Sequence, residues 1–187
     1  TSLRTRKQTL YNMVDIGRTL QSGKVPMMFV YNSNPLATLP NQTLVRKGFS
    51  REDMYTVVHD LFQTDTADYA DIVLPATTFF EHYDINTSYF HSCLSVNEKA
   101  IEPLGDARSN SDTFRALASA MRLTQKELFE EDEKVAKNLV SKNKSVEGRF
   151  EDITKKGFLR LKVPDRRASP TPSKKIELYS AAAEAEG

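Results

Sequence analysis

The stretch MYTVVHDLFQTDTADYADIVLPATTFFEH, residues 54–82, decides the fold. Its opening run, Met54-Tyr55-Thr56-Val57-Val58, reads as a strand that ends at the polar pair His59-Asp60. Thr64 or Thr66 is placed to cap a brief helix through Tyr69, after which Ile72-Val73-Leu74 reads as another strand, stopped by Pro75. Strand, short helix and strand in this order are the rhythm of a buried, mostly parallel sheet.

The same rhythm extends toward the amino terminus. Met13, Ile16, Gly17 and Leu20 share one helix face, with Gly23 positioned to end it, and Pro26 leads into a strand at Met27 to Tyr31. Asn32-Ser33-Asn34-Pro35 is a loop by its turn chemistry, and Leu44, Val45, Gly48 and Phe49 give a second helix face. Toward the carboxyl terminus the pattern dissolves between Ala76 and Ser111 into a polar and aromatic excursion with one weak strand around Ser92 to Val96. Asp112 then heads a helix with the face Phe114, Leu117, Ala118 and Met121; Thr124 with Glu127 predicts a capping box for an amphipathic helix over Lys126 to Lys144. Phe158 to Val163 reads as a short strand, Pro164 to Pro172 as a linker and Ala181 to Gly187 as a frayed tail.

Composition bounds the function. The 187 residues carry 26 basic and 25 acidic side chains, so no global field holds nucleic acid or an anionic membrane. Residues 55–112 hold 10 acidic groups against Lys99 and Arg108, which disfavours a nucleic-acid surface further. A single thiol, Cys93, closes no disulfide framework and holds no iron–sulfur cluster by itself. No apolar run approaches the roughly 20 residues that cross a bilayer. The start, Thr1-Ser2-Leu3-Arg4, has neither an initiator Met nor an apolar signal core, the expectation for a chain excised from something longer. Charge is about twice as dense over residues 126–187 as over 1–125, so the first stretch builds the core and the second is mostly surface.

In open α/β sheets ligands sit beyond the carboxyl ends of the strands, here Asn32 to Pro35, His59 to Thr64 and Pro75 to Asp84. One carboxylate, Asp60, can accept two parallel bonds from a guanine edge. Ser33 and Asn34 suit ribose hydroxyls, and the helix head at Asp112 with the imidazole of His82 suits a phosphate. Singly, each has a plainer reading: Asp60 as a turn former, His82 as a surface histidine, Asp112 as a helix cap. A rival reading takes His59, Asp60, Glu81, His82, Asp84 and His91 as ligands of a hydrolytic metal, although no helical pair of ligands fixes two of them on one face. No nucleophile elbow supports a triad hydrolase.

The runs YNSNP (31–35), VVHDLFQTDTADYADIVLPATTFFEH (57–82) and IEPLGDARSNSDTFRALA (101–118) closely resemble the third domain of molybdopterin oxidoreductases, the dimethyl-sulfoxide-reductase superfamily of formate dehydrogenases and nitrate reductases. SPTPSKKIELYS (169–180) resembles the crossing into that family's last, barrel-like domain, usually written with Gly where Lys174 stands. The resemblance implies a Rossmann-like α/β domain, mostly parallel and flanked by helices, over residues 8–125. A charged helical extension would follow over 126–163, and a partly extended linker and barrel start over 164–187. It implies a molybdenum or tungsten bis(molybdopterin guanine dinucleotide) cofactor, with this chain holding the guanosine part of one dinucleotide through Ser33, Asn34, His59, Asp60, His82 and Asp112. The expected partners are other domains of the same parent, a small redox substrate and an electron-transfer subunit, with no nucleic acid and no membrane contact. The expected location is cytoplasmic, export of the parent being left open. The family's spaced iron–sulfur cysteines and its metal-ligating residue are absent here; the cluster would belong to a missing domain, Cys93 would be structural, and the isolated chain inactive. The alternative is a non-catalytic nucleotide-binding or scaffolding module.

Overall fold

The computed structural model describes residues 9–163, 169, 171–180 and 184. The chain divides into two units, one running to Tyr83 and resuming over Glu98–Glu130, the other formed by Asp84–Asn97 and the chain from Glu131 onward.

In the first unit a 3-10 turn at Met13–Asp15 leads into α1 (Ile16–Gln21), followed by β1 (Met27–Tyr31), α2 (Pro35–Thr38), α3 (Gln42–Phe49), β2 (Tyr55–Asp60), a 3-10 turn at Ala67–Tyr69, β3 (Ile72–Pro75) and, after Glu98, α4 (Asn110–Ala120). The three strands form a parallel sheet in the order β1-β2-β3, with Tyr31 opposite His59 and Asp60 opposite Pro75. All three carboxyl ends therefore lie at one edge.

Alternation along the strands sorts the two faces. Met28, Val30 and Val58 pack with Leu20 of α1, Leu36 of α2 and Val45 and Phe49 of α3 in the main core. Two glycines let α1 and α3 close on each other: a Cβ on Gly17 would sit 2.9 Å from Leu44 Cβ, and one on Gly48 only 2.5 Å from Leu20 Cβ. The opposite face is partly covered by α4, whose Phe114 packs on Phe29 and Tyr31 at centroid distances of 5.5 and 5.1 Å. Burial on both faces holds for β2 alone; β1 and β3 are edge strands, and Ile72 and Val73, expected inside, are 40% and 41% exposed.

The second unit corrects the excursion. Its strands are β4 (Asp84–Thr87) and β5 (Cys93–Asn97), an antiparallel hairpin, with α5 (Asp132–Lys142), β6 (Val146–Glu147), α6 (Glu151–Lys156) and β7 (Leu159–Leu161). The sheet order is β4-β5-β7-β6, antiparallel throughout, over a small core of Leu94, Val140, Val146, Ile153 and Leu159. The expected domain over 8–125 thus gives up residues 84–97 to a sheet completed some 60 residues later, and the 126–163 extension supplies strands as well as helices.

The capping box at Thr124 does not form. Thr124 N–H donates to Gln125 Oε1, Lys126–Phe129 is a 3-10 turn, and the backbone is extended at Glu130 and Glu131 before α5 begins with Asp132 and Glu133 in its first turn. Residues 164–168 and 170, most of the expected linker, lie outside the described residues, as does the tail from Ala181 apart from Glu184. Among the described residues no helix is long and apolar enough to cross a membrane.

Candidate functional site

The polar edge of the parallel sheet gathers the loops after β1, β2 and β3 and the head of α4. Ser33, after β1, is exposed. Asn34 faces the neighbouring loop: its Oδ1 accepts from Thr66 N at 3.3 Å and Thr66 Oγ1 at 2.7 Å, and its Nδ2 donates to Asp65 at 3.2 Å. With both ends of its amide engaged, Asn34 fixes the shape of this edge, and Thr66 Oγ1 extends the link to Leu36 N–H at 3.1 Å.

His59 and Asp60 separate. His59 is fully buried under α4, with Nδ1 donating to Leu74 O at 3.1 Å and Nε2 3.3 Å from Thr113 Oγ1, a tautomer that docks the first turn of α4 onto β2. The structure thus uses this imidazole to join elements and does not present it to a ligand. Asp60 lies at the strand end, where Oδ1 accepts from Leu61 N–H at 2.7 Å and Oδ2 accepts no bond among the described residues. One strong acceptor remains open.

At α4, Ser109 is the N-cap. Its Oγ accepts from Asp112 N–H at 3.1 Å and donates to Asp112 Oδ2 at 2.8 Å, while Asp112 Oδ1 accepts from Arg115 at 3.0 Å. Asp112 therefore serves the helix head with both oxygens. The residue that the sequence reading missed is Asn110, at the first helical position. Among the described residues its Oδ1 is buried without a hydrogen-bond partner, and the first-turn amides of Asn110 and Ser111 donate to no acceptor. Ser109-Asn110-Ser111-Asp112 offers four cap-type residues in a row, and counting back from the buried positions Thr113 and Ala118 selects Ser109 as cap and leaves Asn110 for another role.

After β3 the chain pairs with the returning segment: Thr77 N–H donates to Arg108 O, Arg108 N–H to Pro75 O, and Ala100 and Ile101 N–H both to Phe80 O. His82 Nδ1 lies 2.8 Å from Thr77 Oγ1. Glu81, 7% exposed, accepts from Thr78 N–H and Oγ1 and from Leu104 N–H. The Thr78 amide and hydroxyl, then the Leu104 amide, hold this carboxyl below the usual 4.5 against the opposing effect of burial. Of the rival metal set, His59 and Glu81 are engaged by protein partners. Among the described residues no three His, Cys, Asp or Glu side chains come together as a metal cluster.

Beneath α4 lies an apolar groove of about 450 Å³ between Phe29 and Leu74 of the sheet and Ala116, Leu117 and Ala120 of the helix. Its walls suit apolar packing; the polar chemistry is at the sheet edge.

A parallel three-stranded sheet flanked by helices, with its polar loops at the carboxyl edge, defines an α/β domain. The sequence model described as "Molybdopterin oxidoreductase" matches residues 3–120, and the chain belongs to that family. It is 41% identical over 188 residues to a probable oxidoreductase, YoaE, of Bacillus subtilis, covering 95% of this chain and 27% of that protein. It is 36% identical over 99 residues to the dimethyl sulfoxide/trimethylamine N-oxide reductase of Rhodobacter capsulatus, covering 52% and 12%. Among solved structures it superposes on the acetylene hydratase of Pelobacter acetylenicus with a TM-score of 0.65 and 27% identity, over 92% of this chain and 24% of that one. The chain spans about a quarter of the length of the first two curated relatives it matches.

Proposed function

We propose that this chain holds the guanosine end of one molybdopterin guanine dinucleotide within a larger molybdenum or tungsten oxidoreductase. The observation that carries the reading is the pair of unmet acceptors at one sheet edge, Asp60 Oδ2 and Asn110 Oδ1, beside open first-turn amides. A guanine edge offers N1–H and N2–H₂ donors to such acceptors, and helix-head amides suit a ribose or phosphate oxygen. The residues present therefore fit the group that the family implies.

The metal, when bound, supplies the electron or atom transfer. The chain's own residues bind and orient. Asp60 accepts from the base, Asn110 turns its amide carbonyl to an incoming N–H, and Ser33 and His82 border the same edge from the neighbouring loops. Asn34, His59 and Asp112 hold that edge in shape through Thr66, Thr113 and Ser109. Reductases and a hydratase share this region, which supports assigning choice of substrate to other parts of the parent.

The test is guanine and molybdenum content of the intact protein after gel filtration. Asp60→Asn and Asn110→Ala should each lower retention roughly tenfold, the effect of losing one strong hydrogen bond to a desolvated base. Wild-type content in both variants would refute the assignment.

A further inference from the structure

We propose that Glu81 is a positioning residue for the cofactor edge, clamping the turn after β3 to the returning segment at Leu104 and so fixing the loop that carries His82. This deepens the preceding reading and rests on it, since the loop matters to function only where a cofactor meets it.

The clamp is built from three bonds to one nearly buried carboxylate. Oε2 accepts from Thr78 N–H at 2.7 Å and Thr78 Oγ1 at 2.9 Å, and Oε1 accepts from Leu104 N–H at 2.7 Å. Thr78 lies three residues before Glu81 and Leu104 twenty-three after it, so the side chain joins the segment that ends at Tyr83 to the segment that resumes at Glu98 within the first unit. Backbone bonds flank it on both sides, Thr77 to Arg108 and Phe80 to Ala100 and Ile101. His82 follows directly, tied back to Thr77 at 2.8 Å. All three clamp partners donate, so the site requires an acceptor at both oxygens. An amide in place of the carboxylate would turn an NH₂ against a backbone N–H. An aspartate would be one methylene too short to serve Thr78 and Leu104 together.

The experiment compares the intact holoprotein with Glu81→Gln, Glu81→Asp and the exposed control Glu102→Gln. It reads amide exchange at Thr78 and Leu104 and guanine released per chain after gel filtration. In Glu81→Gln both amides should exchange roughly tenfold faster and guanine retention should fall to a similar degree, with amides of β2 unchanged. Glu81→Asp should recover part of both, and Glu102→Gln should match wild type. Should Glu81→Gln fail to fold, Glu81→Asp carries the test, with Leu104 exchange accelerated and Thr78 protected. Accelerated exchange with full guanine retention would make Glu81 merely structural and overturn the proposal, as would unchanged exchange. Wild-type protein that releases no guanine would instead overturn the cofactor reading on which the clamp depends.

Discussion

His59 and Asp60 are neighbours whose roles diverge because successive side chains of a strand face opposite ways. His59 meets α4 and is sealed; Asp60 meets the open edge. His59→Ala should therefore cost stability, about 3 kcal/mol from the lost packing and the unpaired Leu74 carbonyl and Thr113 hydroxyl, seen as a lower urea midpoint. Guanine content per folded chain should fall as well, since His59 docks the first turn of α4, which carries Asn110. A second expectation concerns acid. The Glu81 carboxyl sits below its usual 4.5, so its contribution is complete above that value and is lost as pH falls through the lower, folded value. Exchange at Leu104, corrected for intrinsic rates, should rise in wild type as pH drops below about 4.5, and should be already high and flat in Glu81→Gln. The groups facing this carboxyl are Thr78, the Leu104 amide and the neighbouring His82. The strand end was legible from the His59-Asp60 step out of an apolar run. Which of the two residues stays open was not, because the helix that covers His59 arrives some fifty residues later.

At the scale of elements, the helices and strands before residue 76 follow their local patterns closely. Their apolar faces each lie within one segment. Gly17 and Gly48 show how close packing turns pattern into geometry. Gly48→Ala places a Cβ against fully buried Leu20 and should destabilise the first unit by about 1–3 kcal/mol, the usual cost of overpacking, measured as a shift in thermal midpoint. Ser109→Ala should cost about 1 kcal/mol by removing the α4 cap, and should also loosen Asp112. The helix expected over Lys126 to Lys144 breaks where Arg115 takes the Glu130 carbonyl, a contact from another element that no periodicity of 126–144 could reveal. The acidic run Glu130 to Glu133 then finds its place at the start of α5, where negative charge favours a helix amino terminus.

For the whole molecule, the consequential feature is that residues 84–97 leave one unit and complete another. Leu94 and Val96 alternate as a strand should, and the weak strand expected around Ser92 to Val96 is β5; its hairpin partner Asp84–Thr87 and its pairing with Leu159 some 60 residues later left no local signal. The two cores differ in size. Among the described residues eight buried side chains anchor the first and five the second, so the second should open first. Leu159 and Leu94, each 2% exposed, pair across β5 and β7 at the centre of the smaller core. Leu159→Ala removes a packed side chain from a cluster too small to collapse around the gap, at a cost of about 2–5 kcal/mol. Amides of Cys93–Asn97 should then exchange by local opening, while those of Val57–Asp60 keep wild-type protection. The first unit survives because the ends of the inserted hairpin are held within it: Phe80 O accepts from Ala100 and Ile101, and Glu81 accepts from Leu104. Hydrogen exchange on the variant decides the point. Equal loss of protection in both strand sets would mean that the two cores unfold as one cooperative body, and that the bonds at Phe80 and Glu81 do not isolate the hairpin from the sheet whose edge carries Asp60.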